Sequence, residues 1–308
     1  MSFNNLGTIQ VDLDGLWTNL KYYGYDHDVE DDMIFETSIP RFLDLFDKYN
    51  VKATFFLIGK DCEVSEKKKL IVDIHRAGHE IANHTYSHVF GFKNLSILEK
   101  TKEIEMCEKL ICNITGKMPS GFKAPGYDQD LTGLKLLNKK NYLYDSSIIP
   151  TSIYPMIMNV NRLISGGVKR NHGPGWNWMF APNTIYNPSY NNKLKKGSMN
   201  LFELPCSVTP FFKLPFHATF ALKFGFDYFK YSFKLAKFAN IPINYEFHAA
   251  DLCNNVKDKR LAHLNSPSFE KKYSVCKKML KHMTKSHKFV TSQNLINSYK
   301  NKFKSRAY

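Results

Sequence analysis

Val11-Asp12-Leu13-Asp14-Gly15 ends a short strand-like stretch that begins at Thr8. Alternate residues of a strand point to one side. Asp12 and Asp14 therefore emerge together where the strand gives way to a turn. Parallel α/β folds gather their ligands at that end of the strands. Two adjacent carboxylates repel, and a cation is a good way to relieve them. The same cadence of strand, turn and helix repeats along the chain. Ala53 to Ile58 is a compact apolar run closed by Gly59, as in a buried strand. Glu80–Asn83, a strand ended by Phe122 and Lys123, Tyr142–Asp145, Leu201–Leu204, Asn244–Phe247 and Phe289–Thr291 follow it. Between them lie segments of helical spacing: 39–49 with Pro40 in its first turn, 68–76 closed by Gly78, 96–113, 131–138 and 269–282. Ser96 and Glu99 are spaced as a capping box. This alternation predicts a parallel α/β barrel or wound sheet and excludes an all-α or all-β domain.

His84-Thr85-Tyr86-Ser87-His88 follows the Glu80–Asn83 strand. A four-residue separation predicts two imidazoles on one face of a helical turn, close enough to share a cation. With a carboxylate from the first motif they form a His₂-carboxylate set with open positions, the way a catalytic metal is held. Zinc is the first expectation. Cobalt, nickel and iron accept the same ligands.

Two further stretches complete the pattern. One is Phe122-Lys123-Ala124-Pro125-Gly126-Tyr127, the other Tyr245-Glu246-Phe247-His248-Ala249-Ala250-Asp251. In this order the motifs resemble those of the NodB-type polysaccharide deacetylases (carbohydrate esterase family 4), from Thr8 to about Thr291. The separated DxD form resembles the branch that includes cytoplasmic peptidoglycan-deacetylase-like proteins and lipid-linked aminoarabinose deformylases. The resemblance implies a distorted parallel (β/α) barrel of about seven strands in a single domain. It implies Asp14, His84 and His88 as metal ligands, Asp12 as general base and His248 as general acid. Lys123 stands where the family has an arginine that steadies the base, keeping the charge without the bidentate fork. Pro125, Gly126, Tyr127 and Asp145 fall at substrate-binding positions. The implied reaction is metal-dependent removal of an acetyl or formyl group from an amino sugar in cell-surface glycan biosynthesis. Two other readings share the fold: hydrolysis of a non-sugar amide such as a ureide, and a catalytically inactive carbohydrate-binding relative.

The 308 residues, 43% of them hydrophobic, suffice for one large core. A catalytic domain is expected over 1–295, with an irregular Asn-, Gly- and Pro-rich insertion near 149–200 and a basic C-terminal tail over 296–308. Within the insertion, His172, Trp176 and Trp178 stand out, since Trp rings commonly stack on sugars. The net charge of +15 comes from scattered lysines, and no nucleic-acid module accompanies it. The six cysteines show no CxxC or zinc-finger spacing and read as reduced thiols. Met1 to Gly7 is too short and polar for a signal peptide, so a cytoplasmic protein is expected, at the inner face of the membrane if its substrate is lipid-linked. Residues 218–239 read as one helix. Its charged stripe is Lys223, Asp227, Lys230, Lys234 and Lys237, and its aromatics exceed what one buried face needs. A peripheral membrane contact is expected there, with Phe226 and Phe229 inserted. The competing ways to cover those rings are the loops of 149–200 or a second copy of the chain.

Overall fold

Strand β1 (Leu6–Asp12) is the hub of the structure. It pairs in parallel with β2 (Thr54–Leu57) through Gln10–Asp12, and with β7 (Ile243–His248) through Gly7–Asp12. From β2 the sheet continues through β3 (Glu80–Asn83), β4 (Gly121–Phe122), β5 (Tyr144–Asp145) and β6 (Phe202–Glu203), each pair parallel. The spatial order is β6-β5-β4-β3-β2-β1-β7, and a two-residue β8 (Lys288–Phe289) pairs with the start of β1. The computed structural model describes residues 5–151, 153–154, 173 and 175–304. This is the expected α/β barrel, with seven strands along its path, curled and left open between β6 and β7. The segment after β6 reaches across the opening: Ser207 N–H donates to the Asn244 carbonyl at 3.1 Å, and Asn244 N–H to Ser207 Oγ at 2.9 Å.

The helices surround the sheet: α1 (Leu16–Tyr22), α2 (Met33–Lys48), α3 (Ser65–Arg76), α4 (Ile97–Thr115), α5 (Leu131–Lys139), α6 (Ala218–Phe224), α7 (Phe226–Phe238), α8 (Phe269–Met283) and α9 (Ser292–Lys304). In α2 the buried positions Phe35, Ile39, Phe42 and Phe46 recur at three- and four-residue intervals, giving one apolar stripe. Phe42 and Phe46 both pack edge-on against Phe55 of β2. Each fully buried Phe contributes about 1.5–3 kcal/mol. The capping box at Ser96 and Glu99 forms as the spacing predicts, and Gly116, at φ 71°, ends α4 in the left-handed region.

Three readings from sequence change. Helix α2 begins at Met33, because Asp32 accepts from Phe35 N–H and caps it. Pro40 therefore sits mid-helix, where it removes one donor from the ladder. The 218–239 segment is two helices, since Gly225 at φ 92° interrupts them. The range read as a tail from 296 is helical to Lys304, with Leu295 and Ile296 fully buried beside Phe56 and Tyr144. Of the irregular stretch, 155–172 and with it His172 lie outside the described residues. Trp178 is 4% exposed and belongs to a small apolar cluster with Tyr127, Ile148 and Val208. Trp176 is exposed.

Candidate active site

The ends of β1, β3, β4 and β7 bring the sequence motifs to one mouth of the barrel. After β1 the chain turns sharply at Gly15, where an added Cβ would meet Asp32 Oδ2 at 1.8 Å. Asp32 fixes this turn from behind, accepting from Leu16 N–H at 2.7 Å and from Phe35 N–H at 3.0 Å. Its other oxygen receives Lys67 Nζ at 2.7 Å, and Lys67 also reaches Asp61 Oδ1 at 2.7 Å. Trp17 Nε1–H donates to the same Asp61 oxygen at 2.9 Å. This buried network holds the loop that carries Asp14.

Asp14 Oδ1 lies 3.0 Å from His88 Nε2 and 3.7 Å from His84 Nε2. One ligand atom from each of the three residues falls within 4.8 Å of the others. Asp14 Oδ1 and both ring nitrogens of His88 are buried without a hydrogen-bond partner. Buried polar atoms seldom stay unpaired, and three ligand-type atoms converging in this way fit a divalent cation. His84 Nδ1 lies 2.7 Å from the Lys123 carbonyl. That bond places the proton on Nδ1 and turns Nε2 toward the triad. The pairing does not arise from a helix, contrary to the expectation from spacing. Thr85 and His88 both adopt positive φ, 66° and 49°, in an irregular turn pinned by Thr85 N–H donating to Asn83 Oδ1. Burial pushes the Asp14 carboxyl up, but His88 and His84 outweigh it and hold it well below the usual range.

Lys123 follows β4 and lies beneath Asp12. Its ammonium donates to Asp12 Oδ1 at 2.7 Å and to Glu246 Oε2 at 2.8 Å, and it sits 4.5 Å from the Phe56 ring centroid. Tyr127 OH donates to the other oxygen of Glu246, and His248 Nε2 lies 3.7 Å from it. Asp12, Glu246 and His248 form a second group of metal-ligand type, but the Lys123 ammonium already supplies its cation. Burial pushes Glu246 up, while Lys123, then His248 and His217, outweigh burial and hold it at about 2. Burial lowers His248, yet Glu246, then Asp12 and Asp251, leave it above its ordinary value. Asp251 accepts from the His248 backbone N–H at 2.9 Å, closing the turn after β7.

Asp12, Asp14, His88, Gly126, Tyr127 and His248 line one cavity of about 160 Å³, with Tyr22 and Phe90 on a further wall. Lys123 supports this cavity from below and does not line it, so it is a positioning residue. Pro125 is buried behind Gly126. Asp145 is not a wall of the cavity. It is fully buried, accepting from Gln129 Nε2–H at 3.1 Å and Ser147 Oγ–H at 2.8 Å, and it organises the loops after β5. Glu246 is the residue that sequence reading passed over. Its place two residues before His248 on a strand puts both on one face, which is the signal that could have found it. Glu246→Gln is expected to lower kcat/KM on the order of 10–100-fold, the usual cost of losing a supporting partner, with metal content unchanged. Wild-type kinetics in this variant would show that Lys123 steadies Asp12 unaided.

A parallel α/β barrel that gathers an Asp-His-His triad, a lysine-held carboxylate and a histidine around one cavity has the architecture of a hydrolytic centre. A family model described as polysaccharide deacetylase matches residues 29–144. The peptidoglycan deacetylase of Helicobacter pylori is 36% identical over 156 residues, which cover 49% of this chain and 52% of that protein. A peptidoglycan-N-acetylglucosamine deacetylase of Bacillus cereus is 33% identical over 105 residues, covering 34% and 37%. The chain thus spans about half, or less, of the length of these curated relatives. A solved Mycobacterium smegmatis structure assigned to the polysaccharide deacetylases superposes with a TM-score of 0.63 at 16% identity, covering 96% of this chain and 90% of that one. Over residues 29–144 the chain is thus similar to the polysaccharide deacetylases, and it shares the fold of the Mycobacterium smegmatis structure.

Proposed function

We propose that this protein is a divalent-metal-dependent hydrolase that removes an N-acetyl or N-formyl group from an amino sugar during cell-surface glycan biosynthesis. One observation carries the reading: Asp14 and His88, grouped with His84 as a ligand triad, line one cavity with Asp12 and His248. The named activities of the relatives support an amino-sugar amide as substrate. Zinc is the first choice of metal on ligand chemistry, two imidazoles and one carboxylate with room for further ligands. The proposed setting is the cytoplasm, at the inner face of the membrane, with a lipid-linked biosynthetic intermediate as substrate.

When bound, the cation polarises the amide carbonyl and acidifies water. Asp12 accepts the proton of the attacking water at its carboxylate. Lys123 holds that carboxylate from below, as a point charge shared with Glu246. The Pro125–Gly126–Tyr127 turn lends backbone to the wall beside the carbonyl, where an N–H stabilises developing negative charge. His248, whose charged form Glu246 and Asp12 favour, delivers a proton to the departing sugar nitrogen. Tyr22 and Phe90 shield the opposite wall from solvent.

The test is product detection on a panel of N-acetyl and N-formyl amino sugars, with allantoin alongside. Chelator is expected to abolish turnover of the sugars, and zinc or cobalt to restore it. Full activity in protein shown to hold no metal would sink the mechanism. Faster turnover of allantoin would replace the sugar by a ureide.

A further inference from the structure

The outer side of α7 and α8 carries an uncommon combination of charge and exposed rings. Across these helices and the turn to β8, eight lysines are exposed and only two carboxylates, Asp227 and Glu270. Asp227 is already paired with Lys230 at 2.7 Å. The lysines converge from both helices: burial and then Lys285, Lys230 and Lys237 hold the His282 imidazole below its ordinary value. Among them stand two unburied rings, Tyr231 at 57% and Phe238 at 80% exposure. They are seven residues apart, two turns along one side of α7, with Lys234 between them. Phe224, 57% exposed, ends the preceding helix.

This is a different face from the one the sequence suggested. Phe229 and Phe233 belong to the core, and Phe226 packs against it. All three rings lie within 6.0 Å of the His282 ring, centroid to centroid. Changing Phe226 and Phe229 would test the packing of the barrel.

We infer that the α7–α8 face docks the protein on an anionic lipid bilayer, its lysines against the headgroups and Tyr231 and Phe238 at the acyl boundary. Charge complementarity selects the sign of the partner. The rings select its nature, since a soluble polyanion needs only the lysines, whereas a membrane surface takes basic and aromatic groups together. The contact is peripheral, because no described helix is long and apolar enough to cross a membrane. The inference gives the proposed hydrolase its surface, yet it stands on exposure and charge alone, so vesicle binding and sugar hydrolysis fail separately.

The experiment is co-sedimentation of the full chain with vesicles of phosphatidylcholine, with and without phosphatidylglycerol, and with soluble polyphosphate as competitor. Wild type is expected to sediment only with the anionic vesicles. Neutralising Lys230, Lys234, Lys237 and Lys285 to Gln removes about fivefold per lysine, so binding falls by well over tenfold. Tyr231→Ser with Phe238→Ser is expected to weaken vesicle binding while leaving polyphosphate binding as in wild type. Both variants keep the circular dichroism and the activity of wild type. Wild type that stays soluble at low salt overturns the inference, as does equal vesicle binding by both variants. Loss in the lysine variant alone assigns a general anion site instead. Wild-type dimers that fall apart in the Tyr231 and Phe238 variant make a second copy the occupant.

Discussion

Replacing Asp14 by Asn is expected to yield a folded protein with no bound metal and no activity. Asp14 supplies the only negative charge of the triad, and its Oδ1 lies against both imidazoles. An amide keeps the shape but offers a neutral ligand, and cation affinity falls with it. Loss of carbonyl polarisation is worth several kcal/mol, so activity falls on the order of 10³-fold or more. Metal content of the purified variant, circular dichroism and turnover of an N-acetyl sugar check the three parts. A variant that keeps full metal occupancy and wild-type turnover would remove Asp14 from the ligand set.

Asp12→Asn separates the second carboxylate from the first. Here the metal is expected to stay, because Asp12 makes its ion pair with Lys123 and the triad lies apart from it. The rate is expected to drop by about 10²–10⁴-fold, the usual contribution of one general base. Lys123 would remain paired with Glu246, so the buried ammonium is not orphaned and the fold survives. An Asp12→Asn protein without metal, beside an Asp14→Asn protein with it, would reverse the two roles.

Much of this centre is legible in a single sequence because strand geometry is periodic. The two-residue step from Asp12 to Asp14, and the positions of His84, Lys123 and His248 just beyond apolar runs, place all five at the mouth of the barrel. The helical reading of His84 to His88 fails because spacing alone does not determine backbone. Asn83, Thr85 and His88 build an irregular turn that brings the same two rings together by another route. Asp145 misleads because a polar residue after a strand looks alike whether it faces a cavity or ties down a loop. The Asp32–Lys67–Asp61 support is invisible in sequence, since its members lie on three separate segments and meet only in the fold. Gly225 is legible as a break, because a glycine inside a run of helical spacing frees the backbone; read as one more small packing residue, it merges two helices and turns the wrong rings to solvent.

Asp12 and His248 are register partners on β1 and β7, and they lie far apart in the sequence. A ribosome therefore delivers the proposed base long before the proposed acid. Until β7 arrives, β1 has an open edge, and the segment that carries His84 and His88 can collapse around β2 to β4 without forming a catalytic centre. Joining these two strands closes a very long loop, an entropic cost met late, and such non-local pairing slows folding. A chain that stops before Ile243 would lack both the proposed acid and the neighbouring strand that pairs with β1 beside Asp12.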